Sequence, residues 1–385
     1  MTAVGEPRAV VSRAPSSARR RVLVSAGEHS GDIHTARAIS ALAERLPACQ
    51  FVGMGGASMA RAGAQLSARM EAVTTMGFTQ VISAIPAHAR LLAGMRRMFA
   101  QGQADLALLT DYPGFHLRVA GAAARHGVPV LYYIAPQLWA WGEKRIARLR
   151  EVVTHLAVIL PFEETFFSQR GIRTTFVGHP LLDQVRPDRF EARRRLEITR
   201  STPVLGLFPG SRPTEVRRLW PVLRNAALLV KAAVPEIEIV VATLPGLRYP
   251  GGESFHLHPS DSGTVMAACD AVICKSGTST LEAALAGTPM VVCYKTDPIS
   301  YAIAKRVIRC SHIGLVNIVA GREIAPEYIQ QAVTAETLAR GVLPLLDIEG
   351  TDAVAQRVGL AEVREQLGTP GASERVADIA AALLE

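Results

Sequence analysis

The chain has 385 residues, 49% hydrophobic and 20% charged, with a formal net charge of +8. That length fits two domains of ordinary size, and no apolar run reaches the roughly 18 residues that span a bilayer. A basic balance suits anionic partners, but with aromatics at only 5% and no recognisable nucleic-acid module, phosphorylated substrates or acidic lipid fit better than nucleic acid.

In chain order, residues 1–20 hold Arg8, Arg13, Arg19 and Arg20 but no apolar signal core, and read as a disordered basic leader; a transit peptide is the alternative. Val22 to Ala26 is a short apolar strand, Gly27 to Asp32 a turn, and Ile33 to Leu46 a helix. Further strands are expected at Gln50 to Val52, Leu106 to Leu109, Val130 to Ile134 and Thr174 to Val177. Helices at Leu117 to His126 and Glu163 to Arg170 are among those between them. A polar, Arg-rich stretch follows. Then come strands at Val204 to Phe208, Ile237 to Ala242, Ala271 to Cys274 and Met290 to Cys293, each tied to helices. Continuous apolar strands alternating with helices mean parallel sheets covered on both faces. The expected fold is α/β: two Rossmann-like doubly wound domains facing a cleft. The N-terminal domain takes residues 21–185, a linker 186–202, and the C-terminal domain 203–365. Residues 366–385 form a terminal helix that packs back on the N-terminal domain. The five cysteines are dispersed and read as reduced core thiols of a cytoplasmic protein. No Cys/His spacing suggests a metal site.

The chemistry-bearing turns lie at strand ends, where doubly wound folds bind ligands. Ser276-Gly277-Thr278 follows an apolar strand and opens a helix with Glu282 one turn in. Main-chain N–H groups at such a turn favour phosphate, and the carboxylate can reach sugar hydroxyls. Gly210-Ser211-Arg212 closes another strand; glycine lets an anion approach and arginine offers a planar fork. Two such turns suggest a nucleoside diphosphate, although ordinary α/β connections look the same. In the N-terminal half, Glu28, His29, Ser30 and Asp32 crowd the first strand end, which lacks the dinucleotide fingerprint. Asp111 closes another strand and suits a general base or a helix cap. Tyr132, Tyr133, Trp139 and Trp141 cluster near the next strand end, as a ligand wall or as core. Val81 to Phe99 mixes Val81, Ile82, Ile85, Leu91, Leu92, Met95, Met98 and Phe99 with Arg90, Arg96 and Arg97. It suits an amphipathic helix on an anionic bilayer, or a core helix of the N-terminal domain.

Taken in order, Ala26 to Asp32, Pro136 to Trp141, Leu160 to Glu163, Phe176 to Pro180, Pro209 to Arg212, Ser276 to Thr278 with Glu282, and Asn317 to Glu323 resemble the lipid-A-disaccharide synthase family over about Val22 to Leu345. The resemblance implies a glycosyltransferase-B fold. It implies inverting transfer of 2,3-diacylglucosamine from its UDP derivative to 2,3-diacylglucosamine 1-phosphate, giving a β-1′,6-linked disaccharide phosphate of lipid A assembly. It implies Asp111 as base, Glu28, Ser30 and Asp32 on the acceptor side, and Gly210, Ser211, Arg212, Ser276, Gly277, Thr278, Glu282, Asn317, Arg322 and Glu323 around UDP. It implies no cofactor or metal, and a cytoplasmic enzyme held peripherally at the inner face of an anionic membrane, without nucleic acid. A homo-oligomer is compatible with it. Four departures bear on acyl and acceptor specificity: Gly114 where a second carboxylate is usual, Gln80 for Glu, His29 for a small residue, and a short Gly/Pro-rich segment from Leu244 to Phe255. Another UDP-sugar enzyme of this fold, an epimerase or a lipid glycosyltransferase, is the alternative, as is a non-catalytic sugar-nucleotide-binding regulator.

Overall fold

The computed structural model describes residues 20–70, 78–199, 201–259, 262–307 and 310–385. The proposed leader, to residue 19, lies outside them. Among the described residues, thirteen strands form two sheets. The first holds β1 (Arg21–Ala26), β2 (Gln50–Gly55), β3 (Gln65–Arg69), β4 (Leu106–Thr110), β5 (Val130–Tyr133), β6 (His155–Val158) and β7 (Thr174–Phe176), in the order β3-β2-β1-β4-β5-β6-β7. The second holds β8 (Val204–Phe208), β9 (Glu238–Ala242), β10 (His256–His258), β11 (Ala271–Lys275), β12 (Met290–Tyr294) and β13 (Glu327–Ile329), in the order β10-β9-β8-β11-β12-β13. Both share one plan: the chain winds outward in one direction, returns to the middle, and winds outward in the other. The strand order reverses between β1 and β4, and again between β8 and β11. A crevice opens at the carboxyl ends of the strands at such a reversal.

Registers place the strand ends together. Ala26 faces Thr110 across β1 and β4. Cys274 faces Phe208 across β11 and β8. In the second sheet, side chains alternate between two cores. Val204, Phe208, Val240, Val272, Cys274 and Val292 enter one, while Leu205, Leu207, Val241, Ile273, Val291 and Cys293 enter the other. Period-two alternation with both sets apolar is what a sheet sandwiched by helices requires. Truncating such a residue to alanine typically costs about 2–5 kcal/mol.

Contacts divide the described residues into two units: those up to Pro136 with Ala147–Ala157 and Ser373–Glu385, and those of Gln137–Ile146 with Val158–Ala372. In the first, Arg45 pairs with Glu374 and Asp378 of the Ala372–Leu384 helix, each at 2.7 Å. In the second, residues 186–202 include a helix, Arg189–Arg195, whose Asp188 side chain accepts from the Glu191 N–H at 2.8 Å. Its Arg193 is buried and pairs with buried Asp270 at 2.8 Å. The Leu244 to Phe255 segment forms turns. Trp220 Nε1 donates to Pro250 O at 3.1 Å there, and Tyr249 and Phe255 pack edge-on against the same indole.

Candidate active site

At the first reversal point, β4 runs into Asp111 and Tyr112, both with φ of 51°. Non-glycine residues in left-handed backbone typically cost about 1–3 kcal/mol each and persist only where surroundings hold them. Here they do. Asp111 N–H donates to Tyr133 O at 3.0 Å. The Asp111 carbonyl oxygen accepts from the Tyr132 hydroxyl at 2.6 Å and from His116 Nδ1 at 2.7 Å. With its proton on Nδ1, His116 accepts from the Ser25 hydroxyl through Nε2 at 2.8 Å. Complete burial pushes the imidazole pKa down to about 4, so the ring stays neutral in this role. Burial likewise holds the Tyr132 phenol well above its ordinary range. Asp111 as a residue is half-buried.

The Tyr112 ring lies over Gly27: a Cβ on Gly27 would sit 2.3 Å from the ring. That contact fixes the first strand-end turn beside the Asp111 turn. His88 Nε2 lies 2.7 Å from the Tyr112 hydroxyl, and Thr35 donates to Thr110 Oγ1 at 2.7 Å. Burial, then the Glu28 charge, raise the Tyr112 pKa. The expected Gly27 to Asp32 turn is shorter than read. Glu28 is extended and the helix His29–Arg45 starts immediately after it. Glu28 and Ser30 are exposed there. Asp32 is buried instead. Its carboxylate accepts from the N–H groups of Gly56, Ser58 and Met59 at 2.7, 2.9 and 3.1 Å, capping the Ala57–Arg61 helix. Burial opposes ionisation, but these N–H bonds outweigh it and lower the pKa. Asp32 therefore holds the turn after β2, its carboxylate engaged by three main-chain N–H groups.

At the second reversal point, β8 ends in Gly210-Ser211-Arg212 and β11 in Ser276-Gly277-Thr278. The helices Pro213–Ala233 and Thr278–Ala286 start at these turns, their N-termini offering main-chain N–H groups. Ser276 is buried, and both of its donors are engaged within the fold: the hydroxyl donates to Ile313 O at 2.6 Å and the N–H to Cys293 O at 2.9 Å. Glu282 accepts from the Ser262 hydroxyl at 3.1 and 3.2 Å. Two residues missed in the sequence join the turns: Lys275 Nζ pairs with Glu215 Oε1 at 2.9 Å, and Glu215 Oε2 accepts from the Ser211 N–H at 3.1 Å. Both were visible, Lys275 directly before Ser276 and Glu215 four residues after Ser211.

The Asn317 to Glu323 group divides. Asn317 is fully buried: Nδ2 donates to Ala325 O and Glu327 Oε1 at 2.7 and 2.8 Å, and Oδ1 accepts from Ile324 and Ala325 N–H at 2.7 and 2.9 Å. Every polar atom of that amide is engaged in holding the loop, so a direct UDP contact does not follow. Arg322, more than half exposed, pairs with Glu362 on the Thr351–Gln366 helix, and Glu323 is exposed. Glu327 was missed. It accepts from Ile313 and Gly314 N–H at 2.9 and 2.8 Å and so ties the loop that receives Ser276.

Trp139 does not form a free ligand wall. Its Nε1 donates to Glu163 at 2.9 Å, and Glu163 also accepts from the Leu160 N–H at 3.1 Å. Burial pushes this carboxyl up to about 7, against the pull of those bonds. Trp141 is partly exposed, with Arg145 over its ring at 5.3 Å. Tyr132 and Tyr133 are fully buried.

The candidate membrane segment lies in the helix Phe78–Ala100. Leu92, Met95 and Phe99 are buried, so these three pack into the core and do not face lipid. Leu91 and Met98 are half-buried. Ile85 is 57% exposed, and Arg90, Arg96 and Arg97 are exposed. The side chains of Val81, Ile82 and Gln80 lie outside the described residues. No described helix is long and apolar enough to cross a membrane. Among the described residues no group of three or more His, Cys, Asp or Glu side chains could hold a metal ion.

Known proteins match this architecture and its sequence. Structures of MnaA from S. aureus with UDP (TM-score 0.64, 11% identity, 93% of this chain and 94% of that one) and of MurG from Acinetobacter baumannii (0.58, 16%, 94% and 99%) share the fold. A lipid-A-disaccharide synthase of Geobacter sulfurreducens is 38% identical over 374 residues, covering 94% of this chain and 97% of its own. One from Trichlorobacter lovleyi is 39% identical over 377 residues, covering 95% and 98%. The sequence pattern of the family described as lipid-A-disaccharide synthetase matches residues 22–382. With that match over nearly its whole length, the chain belongs to the lipid-A-disaccharide synthetase family and is a glycosyltransferase of lipid A biosynthesis.

Proposed function

We propose that the chain transfers 2,3-diacylglucosamine from its UDP derivative to the 6-hydroxyl of 2,3-diacylglucosamine 1-phosphate, with inversion. Asp111 takes the hydroxyl proton as the oxygen attacks the anomeric carbon. UDP leaves with the bonding electron pair. Fixed N–H donors and positive charge stabilise such a leaving group. The N–H groups of Ser211, Arg212, Gly277 and Thr278, with the Arg212 guanidinium, serve this purpose, and Glu282 receives ribose hydroxyls. One observation carries the donor assignment: two Gly-containing turns, each opening a helix, close neighbouring strands β8 and β11 at the reversal point.

Glu28 and Ser30, exposed beside the Asp111 turn, line the acceptor side. Exposed Arg90, Arg96 and Arg97 attract the inner face of an anionic membrane, where acylated substrates reside. The test is mass spectrometry of products from purified protein given both lipid substrates, with UDP release followed in parallel. A disaccharide 1-phosphate accompanied by stoichiometric UDP supports the reading. UDP-sugar converted without disaccharide points to an epimerase, and no turnover at all to a regulator.

A further inference from the structure

We propose that Glu215 is an internal stand-in that competes with the donor's diphosphate for the β8 turn, and that Lys275 is the cation it releases to that diphosphate. The proposal rests on the reading of the β8 and β11 turns as the donor site. A carboxylate and a phosphate present the same acceptor to main-chain N–H groups. Glu215 occupies that acceptor position: its Oε2 takes the Ser211 N–H at 3.1 Å. Gly210, at φ 130°, admits it, because a Cβ there would lie 2.6 Å from Oε2 and 2.8 Å from the Glu215 Cβ. Its other oxygen holds Lys275 Nζ at 2.9 Å. That ammonium reaches over the second turn, 3.7 Å from where a Gly277 Cβ would be. It also lies 5.9 Å from the Tyr294 ring centroid.

One ion pair thus spans both turns, each side chain about one-fifth exposed. A diphosphate seated on the same N–H groups cannot share them with a carboxylate, since two anions at that separation repel. The Glu215 side chain has three rotatable bonds by which to swing into water, and the flexible Lys275 side chain, rooted at the end of β11, can turn its ammonium to the incoming phosphate. Exchange of partner leaves Lys275 neutralised before and after, so neither arrangement holds an unpaired, largely buried cation. A competing account makes Glu215 only a cap for the Pro213–Ala233 helix. It predicts that losing the charge changes stability and not diphosphate affinity.

Calorimetric titration with UDP and with uridine, on folded full-length protein, decides between them. Glu215→Gln should bind UDP at least about fivefold more tightly than the wild type, with uridine affinity unchanged. Lys275→Met should bind UDP at least about tenfold more weakly, the typical loss of a charge-assisted contact, again with uridine unchanged. UDP affinity in folded Glu215→Gln equal to or below that of the wild type overturns the stand-in. UDP affinity unchanged in Lys275→Met overturns the handover, and this variant alone decides if Glu215→Gln does not fold. Wild-type protein that binds neither UDP nor uridine overturns the donor-site reading itself, and the proposal with it.

Discussion

The Tyr132 hydroxyl donates to the main-chain oxygen of Asp111 at 2.6 Å, so a fully buried tyrosine on β5 fixes the carboxylate-bearing turn at the end of β4. His116 grips the same oxygen from the helix Pro113–Arg125. Two donors on one carbonyl leave little freedom to a left-handed turn that would otherwise relax. Tyr132→Phe keeps the ring and removes one donor. It should cost about 1 kcal/mol of stability. Turnover should fall by about tenfold or more if the carboxylate shifts, since small misplacements of a reacting group are costly. UDP affinity should stay at the wild-type value. Equal turnover in Tyr132→Phe and wild type, compared per folded molecule, would remove the positioning role.

Asp111→Asn tests the base directly. The substitution keeps size and main-chain contacts, and removes the proton acceptor. Positioned bases typically contribute about 10²–10⁴ in rate. Disaccharide formation should fall at least about a hundredfold, with melting temperature and UDP affinity preserved. Near-normal turnover would redirect the search to Glu28, because Asp32 is committed to the Ala57–Arg61 helix cap.

For the donor side, Arg212→Ala and Glu282→Ala should each weaken UDP binding about tenfold to a hundredfold, the typical effect of losing a charge-assisted hydrogen bond. Glu282→Ala also frees Ser262, so its stability is to be measured alongside. Calorimetry that finds both variants unchanged would move the nucleotide away from these turns.

The proposed membrane docking rests on charge more than on apolar area, since Leu92, Met95 and Phe99 belong to the core. Replacing Arg90, Arg96 and Arg97 together with serine should reduce sedimentation with anionic liposomes. The difference should be largest at low salt, where screening is weak. Identical sedimentation at low salt would place the docking surface elsewhere.

The fold was legible where burial is two-sided. β1, β4, β8 and β11 are apolar runs, and their reversal-point ends carry the turns that the sequence singles out. Strands β3, β10 and β13 were not read. Each is an edge strand with little buried surface, such as Gln65-Leu66-Ser67-Ala68-Arg69, so no continuous apolar run marks it. β6 is buried but only four residues long. Roles that depend on distant partners were equally hidden. Asp32 stands in a polar turn on paper, yet its carboxylate meets Gly56, 24 positions away. His116 reads as one more helix residue, and only folding brings it to Ser25 and the Asp111 carbonyl. Asn317 was read as one of the residues around UDP, whereas its amide is engaged by its own loop.

Glu163 gives a prediction in pH. Burial raises its carboxyl pKa to about 7 in the folded chain, above the ordinary carboxylate value it takes when unfolded. Between those two values the folded state holds a proton that the unfolded state has lost, so stability falls as pH rises. The loss amounts to at most about 1.4 kcal/mol per pH unit, and it is complete above the folded pKa. Glu163→Gln cannot ionise. Its oxygen can still accept from Trp139 Nε1, but its amide nitrogen cannot accept from the Leu160 N–H, so it is less stable than the wild type at pH 5. The gap between the two melting temperatures should narrow from pH 5 to pH 8, because only the wild type carries the ionisation penalty. Trp139 fluorescence, followed across the same range, should shift near pH 7 in the wild type and not in Glu163→Gln. A gap that is constant from pH 5 to pH 8 would mean that the Glu163 pKa is not raised, its bonds to Trp139 and Leu160 fully offsetting burial.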